Sequence, residues 1–426
     1  MIIEIKRPED VDALTLDAGV EQEDNIEKSV REIVENVRKK GDGSLFEYIK
    51  RFDNYDPEDG LLVTTDEIEA AKMLIPEKEK RIIQYARERI ERFHRFDKPR
   101  SSFIEEEGAL LGVRYTPVRS CGLYVPGGKA AYPSTALMTI VPAVVAGVKD
   151  ISIATPPVDG AVNPYVLYAA DLCGVTKIYK MGGAHAIAAF AYGTQSVGRV
   201  DVIAGPGNIY VAFAKKIVYG DVGIDSIAGP SEIMVVADST ANARYIAYDL
   251  LSQAEHDERA GCFFVSTDID LVSSVKDIFM RLAQSAARSR ITSLSSRNAR
   301  FFHVKNLYLA ALLVDRIAPE HLELHLEKPY EFMNSINNAG AIFIGQWSPE
   351  PIGDYVAGAN HTLPTGGTAR FASVLSAEVF MKKSSIIHYS RNAFLRDAPY
   401  AAGFAQMEGL FAHRDAVEVR YRDSDR

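Results

Sequence analysis

The sequence predicts an α/β protein in which helices wrap parallel sheets. From Gly112 onward, short β-branched runs closed by glycine or proline predict buried strands: GLYVPGG, DISIATPP, TKIYKMGG, VDVIAGPGN, EIMVVAD, CFFVSTD and AIFIG. Helix-like segments such as AHAIAAFAYG and ANARYIAYDLLSQAEHD lie between them, and this alternation is typical of parallel strands joined by helices. Before Gly112, apolar residues recur every three or four positions in charged segments such as EDNIEKSVREIVENVRKK, which predicts amphipathic surface helices.

The order of these elements predicts more than one domain. A chain of 426 residues exceeds the usual domain size of about 100 to 200 residues. One group of predicted strands ends near AGPSE and a second resumes with EIMVVAD, so one domain inserted within another fits the pattern. After about Ser376, KSSIIHYSRNAF predicts a further strand and YAAGFAQMEGLFAHRDAVEVR predicts a helical tail.

Composition and charge argue against several classes of protein. The 48 basic side chains are outnumbered by 57 acidic ones, and no basic stripe is interleaved with aromatic residues, so we expect no nucleic-acid partner. The longest apolar stretch, Ala136 to Val148, is too short to span a bilayer, and MIIEIKRPEDVD lacks the apolar core of a signal peptide. Cys121, Cys173 and Cys262 form no CxxC pair and fit a reducing compartment. We therefore expect a cytoplasmic protein without a membrane partner.

The segment LLSQAEHDERAGC has the spacing of a metal site. On a helix, Gln253 and His256 share one face with converging side chains. Further ligands can come from Asp354 and His361 in PIGDYVAGANHTLPTGG and from His413 near the end of the chain. Nitrogen and oxygen ligands suit a catalytic Zn²⁺, and Mn²⁺ or Co²⁺ also accept them. The alternative is a solvated polar helix end.

The adjacent Glu320 and His321 in DRIAPEHLELHLEKPYEF can share proton transfers. Pro319 fits the first turn of a helix, which puts both side chains at a helix N-terminus. Histidine titrates near neutrality and a neighbouring carboxylate can orient a water, so the pair suits general acid–base catalysis. The alternative is structural, with Glu320 complementing the helix dipole and His321 on the surface. His325 has no motif and is expected to be structural.

Three Gly-Pro turns, YVPGG, AGPGN and AGPSE, each follow a predicted strand. Such turns can leave backbone N–H groups free to meet an anion or a cofactor at a helix start. The patterns GxGxxG and GxxxxGK[ST] are both missing, so neither the ordinary dinucleotide fingerprint nor the P-loop is present. The glycines alone indicate tight turns, and cofactor binding is the alternative.

Eight longer motifs follow one another along the chain: GLYVPGGKAAYPSTALM, GGAHAIAAFAYGT, AGPGNIYVAFAKK, GIDSIAGPSE, SQAEHD, APEHLEL, GDYVAGANHTLPTGGTARF and EGLFAH. In this order they closely resemble the histidinol dehydrogenase family. The resemblance covers nearly all of the chain and is densest from about Gly112 to Ser376. It implies oxidation of L-histidinol to L-histidine through an aldehyde with two NAD⁺, the last steps of histidine biosynthesis.

The resemblance also implies site residues, motif by motif. His321 takes the hydroxyl proton in the first oxidation, and Glu320 activates water for the second. The implied ligands of one Zn²⁺ per subunit are Gln253, His256, Asp354 and His413. The implied substrate contacts are Ser231, Gln253, His256, His321, Asp354, His361, Glu408 and His413.

For NAD⁺, the matching positions are Tyr124 in YVPGG, Asn208 in GPGNIY and residue 185 in GGAHAIAA. The family usually has Gln at the last position, where this sequence has His185. An imidazole cannot present the donor and the acceptor of an amide together. We therefore expect an altered cofactor contact at His185.

The fold implied by the resemblance has two incomplete Rossmann-like domains with parallel-rich sheets and small N- and C-terminal pieces. Residues 20–122 and 231–375 then form a larger domain with the metal and catalytic residues, and residues 123–230 form the inserted domain with the cofactor-contacting turns. Residues 1–19 and 376–389 form a small dimer-associated domain.

Residues 390–426 are implied to form a helical tail that reaches the partner subunit. Glu408 and His413 lie in this tail. A homodimer would therefore share its active sites between subunits.

Other classes use parts of the same residue set. A zinc hydrolase would hold a water with the same ligands and use Glu320 as base, but the strand-turn segments would then lack a purpose. A thioester-forming aldehyde dehydrogenase needs a reactive cysteine, and we expect all three thiols to be inert. A non-catalytic metal-binding or assembly protein would not need Glu320 and His321 beside four ligands.

Overall fold

Fourteen strands and seventeen α-helices form within residues 2–14, 21–127, 132–227 and 229–422, which the computed structural model describes. The strands are β1 (Ile2–Ile5), β2 (Ser102–Glu106), β3 (Ala109–Pro117), β4 (Ser120–Tyr124), β5 (Asp150–Thr155), β6 (Ile178–Lys180), β7 (Val202–Ala204), β8 (Gly223–Ile224), β9 (Glu232–Ala237), β10 (Gly261–Ser266), β11 (Arg300–Val304), β12 (His321–His325), β13 (Ala341–Ile344) and β14 (Met381–Tyr389). The predicted domain limit at residues 19 and 20 and the end of the predicted tail, at residues 423–426, lie outside the described residues.

The helices account for most of the remaining ordered chain. They are α1 (Pro8–Asp12), α2 (Glu21–Lys40), α3 (Asp42–Tyr48), α4 (Thr65–Leu74), α5 (Glu77–Asp97), α6 (Pro133–Ala146), α7 (Pro164–Leu172), α8 (Gly183–Tyr192), α9 (Ile209–Val218), α10 (Ala243–Ala254), α11 (Ile269–Ser285), α12 (Ser289–Ser295), α13 (Leu307–Ile317), α14 (Pro329–Met333), α15 (Glu350–Ile352), α16 (Arg391–Met407) and α17 (Phe411–Arg422). Single π-helical turns form at Ile49–Asp53 and Gly353–Ala357. No helix among the described residues is long and apolar enough to cross a membrane.

The chain divides into two units. The first consists of Met1–Lys98 and Val118–Phe380 and contains two parallel sheets. The second consists of Pro99–Pro117 and Met381–Arg426 and contains an antiparallel sheet. The α/β class with two parallel-rich, Rossmann-like sheets and smaller terminal pieces is confirmed.

The six-stranded sheet of the first unit has the order β1-β11-β10-β9-β12-β13, and every pairing is parallel. Its strands are apolar because helices cover both faces. On β9, Ile233 and Val235 pack toward α10 and α11, whereas Met234 and Val236 pack toward α1 and α13. Strand β1 pairs with β11, which differs from the predicted grouping of residues 1–19 with 376–389.

The five-stranded sheet of the first unit has the order β6-β5-β4-β7-β8 and is also parallel. Helices α2, α3, α8 and α9 share one of its cores. The apolar stripe of α2 (Val30, Val34 and Val37) is completely buried there, because its spacing of three to four residues places all three side chains on one helix face. This packing differs from the predicted grouping of residues 20–122 with 231–375.

The second unit combines the sheet β14-β3-β2 with α16 and α17. Strand β14 lies antiparallel to β3, with Ile386 opposite Gly112. The predicted strand in KSSIIHYSRNAF and the predicted helical tail are therefore confirmed. All five residues of β2, which pairs with β3 at the edge of this sheet, are exposed.

The predicted helix beginning at Pro319 was wrong. Helix α13 ends at Ile317, and Ala318 takes a left-handed conformation with φ of 51°, which turns the chain away from the helix. Pro319 and Glu320 lead into β12 (His321–His325), a buried strand between β9 and β13, with His321 opposite Ile233. His321 is thus held by a central strand rather than by a helix end.

Candidate active site

The predicted catalytic residues and one predicted substrate contact lie at the amino ends of two neighbouring strands. Ser231 precedes β9, and Glu320 and His321 stand at the start of β12. Helix α10 runs back from the far end of β9, so its last turn returns to this edge. Gly261 N–H donates to the Ser231 carbonyl at 3.0 Å and fixes the return. The edge therefore gathers Ser231, Glu320, His321 and the end of α10.

His321 is held as a neutral base. Its side chain is buried, and its Nδ1 donates to the Glu232 carbonyl at 2.9 Å, because a carbonyl oxygen can only accept. The hydrogen on Nδ1 leaves a lone pair on Nε2, which has no hydrogen-bond partner among the described residues. Burial lowers the pKa of His321 to about 4. The ring can therefore accept a proton through Nε2.

Glu320 is a buried carboxyl beside this imidazole. Its Oε2 accepts the Glu232 N–H at 2.8 Å and lies 3.7 Å from Nδ1 of His321. Burial raises the pKa of Glu320 well above its ordinary value, and the charge of Asp354 raises it further. Gly340 packs so closely that a Cβ there would lie 2.5 Å from the Glu320 carbonyl oxygen. The carboxyl is thus rigidly placed and strongly basic when ionised.

Three residues near this pair could hold a metal ion. Ligand atoms of His256, Glu350 and Asp354 all lie within 4.8 Å of one another. Burial raises the pKa of Asp354 to about 6, and burial with the charge of Asp354 raises the pKa of Glu350 to about 9. Carboxyl groups held together without a cation keep their protons to higher pH.

Gln253 joins this set from the last turn of α10. Its side chain is completely buried, yet neither amide atom has a hydrogen-bond partner among the described residues. A buried amide without partners is costly unless a ligand completes it. The helix predicted through His256 ends earlier, at Ala254, and His256 lies in the turn that follows.

Glu350 was missed at the level of sequence. It starts the short helix α15, is almost completely buried, and accepts the Ser252 hydroxyl at 3.2 Å through Oε2. Its Oε1 has no partner among the described residues. The available signal was its position four residues before Asp354, but Glu350 belongs to no quoted motif.

A second cluster of buried polar side chains contacts the backbone of Glu350. Glu323 on β12 accepts the Glu350 N–H at 2.8 Å and binds Nε2 of His325 at 3.2 Å. Asp249 of α10 completes the cluster, and burial with the charge of Glu323 raises the pKa of Asp249 to about 8. The expectation that His325 is structural fits these contacts, since its partners are buried protein side chains.

The predicted substrate contact His361 bridges to the other sheet. Its Nδ1 donates to the Asp354 carbonyl at 3.1 Å, so Nε2 accepts the Thr135 hydroxyl at 3.3 Å. Burial lowers the pKa of His361 to about 4. Thr135 lies in the first turn of α6, which follows β4. The loop that contains Asp354 is therefore tied to the carboxyl end of the five-stranded sheet.

That carboxyl edge contains the predicted cofactor residues. The chain passes from β4 outward to β5 and β6, then crosses to β7 and β8 on the other side, so a crevice opens between β4 and β7. Tyr124 ends β4 and is buried, and burial raises its pKa to about 12. Asn208 is exposed beyond β7 and accepts the N–H groups of Tyr210 and Val211 at the start of α9. Both residues flank the crevice.

His185 is placed differently. It lies in the first turn of α8, is 1 % exposed, and its Nε2 is 2.9 Å from Oδ2 of Asp53. The side chain for which we expect an altered cofactor contact is therefore already hydrogen-bonded to Asp53.

Glu408 and His413 belong to the second unit. Glu408 caps the C-terminus of α16 and His413 lies in the first turn of α17, and both are exposed. The predicted substrate contact of Glu408 and the predicted metal-ligand and substrate-binding roles of His413 stay predictions.

The cysteines lack the surroundings of a nucleophile. Burial raises the pKa of Cys173 and Cys262 to about 12 and that of Cys121 further still. All three are free thiols. A thiolate nucleophile of the thioester type is therefore not favoured.

Two parallel Rossmann-like sheets, a buried acid–imidazole pair and adjoining oxygen and nitrogen atoms that could hold a metal fit the class of α/β oxidoreductases. Comparison with known proteins sharpens this class. The family model "Histidinol dehydrogenase" matches residues 17–421, and the chain belongs to that family.

Relatives match over almost the full length. A histidinol dehydrogenase of Bacillus thuringiensis is 47 % identical over 406 residues, covering 95 % of this chain and 94 % of the relative. One of Synechococcus is 48 % identical over 404 residues, covering 94 % and 93 %. The crystal structure of histidinol dehydrogenase from Elizabethkingia anophelis superposes with a TM-score of 0.93 at 34 % identity, covering 100 % of this chain and 99 % of that one.

Proposed function

We propose that the protein oxidises L-histidinol to L-histidine through L-histidinaldehyde with two NAD⁺, as the last steps of histidine biosynthesis in the cytoplasm. The observation that supports this most directly is the neutral His321, whose unpartnered Nε2 stands beside the buried Glu320. Family membership gives the substrate, and this pair gives the proton chemistry that two successive oxidations need.

In the first oxidation, His321 accepts the hydroxyl proton of the alcohol. An alcohol cannot lose hydride until its proton has an acceptor, and Nε2 carries the free lone pair. The bond from Nδ1 to the Glu232 carbonyl fixes this tautomer and stabilises the imidazolium that forms. The products of this step are the aldehyde, NADH and a proton held on His321.

In the second oxidation, Glu320 activates water. The aldehyde must be hydrated before it can lose a second hydride, and a carboxylate with a raised pKa is a stronger base than an ordinary one. Its hydrogen bond from Glu232 N–H keeps Oε2 in place, and we propose that Oε1 takes the proton of the water. The products are L-histidine and a second NADH.

The residues present fit one Zn²⁺ per subunit. Gln253 offers a buried amide without a partner, and His256 and Asp354 offer ligand atoms within reach of one another. With His413, they form a set of nitrogen and oxygen donors that suits zinc. When bound, the metal would orient the imidazole and amine of the substrate.

The residues beside the β4–β7 crevice fit NAD⁺, which supplies the hydride acceptor when bound. Ligands of open parallel sheets bind outside the carboxyl ends of the strands at such a crossover. We propose that Tyr124 and Asn208 contact the dinucleotide there. The tie from His361 to Thr135 connects this edge to the acid–base pair.

We further propose a homodimer in which Glu408 and His413 of one subunit complete the site of the other. Both side chains are exposed on helices of the second unit, which leaves them accessible to another chain. Glu408 and Ser231 would then contact the substrate.

The test is NADH formation from L-histidinol by purified protein, before and after removal of metal with a chelator and restoration of Zn²⁺. Two NADH for each histidinol, lost on stripping and regained with zinc, are expected. A zinc hydrolase would release a hydrolysis product without NADH. Absence of NADH from the zinc-loaded dimer would refute the proposed activity.

A further inference from the structure

The turn between β6 and α8 is held from outside the sheet. Asp53, at the end of the π-helical turn, accepts the Gly182 N–H at 2.9 Å through Oδ2. The same oxygen binds Nε2 of His185 at 2.9 Å. One carboxylate thus fixes both the backbone of the turn and the first turn of the helix.

His185 is buried beside two aromatic rings, and its Nδ1 has no hydrogen-bond partner among the described residues. Its ring lies 6.2 Å from that of Tyr48 and 6.1 Å from that of Phe52, on the segment that ends in Asp53. The side chains of His185 and Asp53 are 1 % and 7 % exposed. A dinucleotide could touch this imidazole only if the segment at residues 48–53 moved away.

The turn also contacts Tyr124, which lies at the carboxyl edge of the five-stranded sheet with the predicted cofactor residues. Gly183, next to the bound Gly182, donates its N–H to the Tyr124 hydroxyl at 3.0 Å. Gly182 has no room for a side chain, because a Cβ would lie 2.7 Å from Pro156 and 2.9 Å from Asp53. Tyr124 stands beside the crevice between β4 and β7, so a shift of the turn would move its hydroxyl.

We propose that Asp53 is a positioning residue of the dinucleotide site and that His185 acts through Asp53 rather than by touching NAD⁺. The Asp53–His185 pair fixes the Met181–Gly183 turn, and the turn fixes the Tyr124 hydroxyl. This inference rests on the proposed function for its kinetic test, but its contacts exist in the protein without any ligand.

The kinetic test compares Asp53→Asn, His185→Ala and the double variant. Each single variant is expected to raise the KM for NAD⁺ about tenfold, since His185→Ala removes the imidazole that binds Asp53 and Asp53→Asn replaces one acceptor oxygen with an amide donor. The kcat and the KM for histidinol should change less than twofold. The double variant should also stay near tenfold, because residues that act as one unit do not add.

Two further variants check that the effect follows the bond to Asp53 and is specific to this turn. His185→Gln keeps an N–H donor for Asp53, so its KM for NAD⁺ should stay within about threefold of the wild type. Asp42→Asn is the matched control. Asp42 begins α3, which also packs at the five-stranded sheet, and it accepts the Ser196 hydroxyl at 2.6 Å rather than binding the turn at Gly182. It should leave the KM for NAD⁺ unchanged.

NADH binding followed by fluorescence repeats the comparison without turnover. A loss of about a hundredfold in the double variant would mean that His185 contacts the dinucleotide independently, and an unchanged KM in Asp53→Asn would also overturn the inference. Thermal denaturation checks folding, and if Asp53→Asn does not fold, His185→Ala and His185→Gln decide. NADH binding without histidinol oxidation would refute the proposed function alone, and a wild type that binds no NADH would refute both.

Discussion

Zinc binding to the metal-free protein is expected to release about one proton per site at pH 7. The pKa of Glu350 is raised to about 9, so this carboxyl still holds its proton at pH 7. The pKa of Asp354 is raised to about 6, so about one molecule in ten holds that proton. Asp354 must ionise to bind the cation, and the charge of the cation favours the ionised form of the neighbouring Glu350.

The strength of the effect follows from the geometry of the cluster. Ligand atoms of Glu350, His256 and Asp354 lie within 4.8 Å of one another. A dication about 5 Å from a carboxylate, at an effective dielectric constant of about 20, favours the ionised form by about 7 kcal/mol, or about five pKa units. That is enough to bring Glu350 from about 9 to well below 7. Zinc affinity should therefore rise about tenfold per pH unit between about 6 and 9 and level off above.

The assay is zinc titration of the stripped protein by calorimetry in two buffers that differ in ionisation enthalpy. Glu350→Gln should release about a tenth of a proton at pH 7, because only Asp354 is left to ionise. Glu255→Gln is the matched control, since this carboxyl is exposed on the turn next to His256 and should leave the release near one. Equal proton release by the wild type and Glu350→Gln would refute the reasoning, as would no release by the wild type.

Three further predictions concern the reaction. Glu320→Gln should slow the second oxidation about a hundredfold or more while the first continues, so the yield measured in one turnover should fall from two NADH toward one with aldehyde trapped by a carbonyl reagent; an unchanged yield of two would contradict the role. His413→Ala and Gln253→Ala dimers should each be nearly inactive, whereas a mixed dimer holds one intact site and should regain up to about half of the activity of the wild-type dimer; no recovery on mixing would exclude shared sites. Alkylating reagents should change the activity less than twofold at pH 7, because burial raises the pKa of every thiol; a large loss that tracks labelling would revive covalent catalysis.

Much of the fold could be predicted because the residues within most strands are enough to identify them as buried strands. The runs that became β9 and β10 are apolar, β-branched or aromatic and closed by turn residues, and helices cover both of their faces. Strand β12 could not be predicted in this way, because Glu323 and His325 interrupt it. A buried glutamate is tolerated there only through the His325 ring and the Glu350 N–H, which lies 27 residues further along the chain.

The same distinction between local and long-range contacts applies to the residues of the candidate site. Gln253 and His256 could be proposed from their spacing, because one helix end brings them together. Glu350 could not, since its place beside Asp354 depends on how α15 packs against β12. The burial of His185 was equally hidden, because its partner Asp53 lies 132 residues earlier. Local patterns reveal residues that one element brings together, whereas long-range partners need the folded chain.

The edge strand β1 has a consequence for how the chain is made. Ile2 pairs with Phe301, so translation produces β1 long before β11, the strand beside which it lies. Until Arg300–Val304 emerges, the apolar IIEI segment has no template, and such distant pairing slows folding. The six-stranded sheet therefore closes late in synthesis, and a ribosome stalled before residue 300 would present β1 as an unpaired strand to chaperones and proteases.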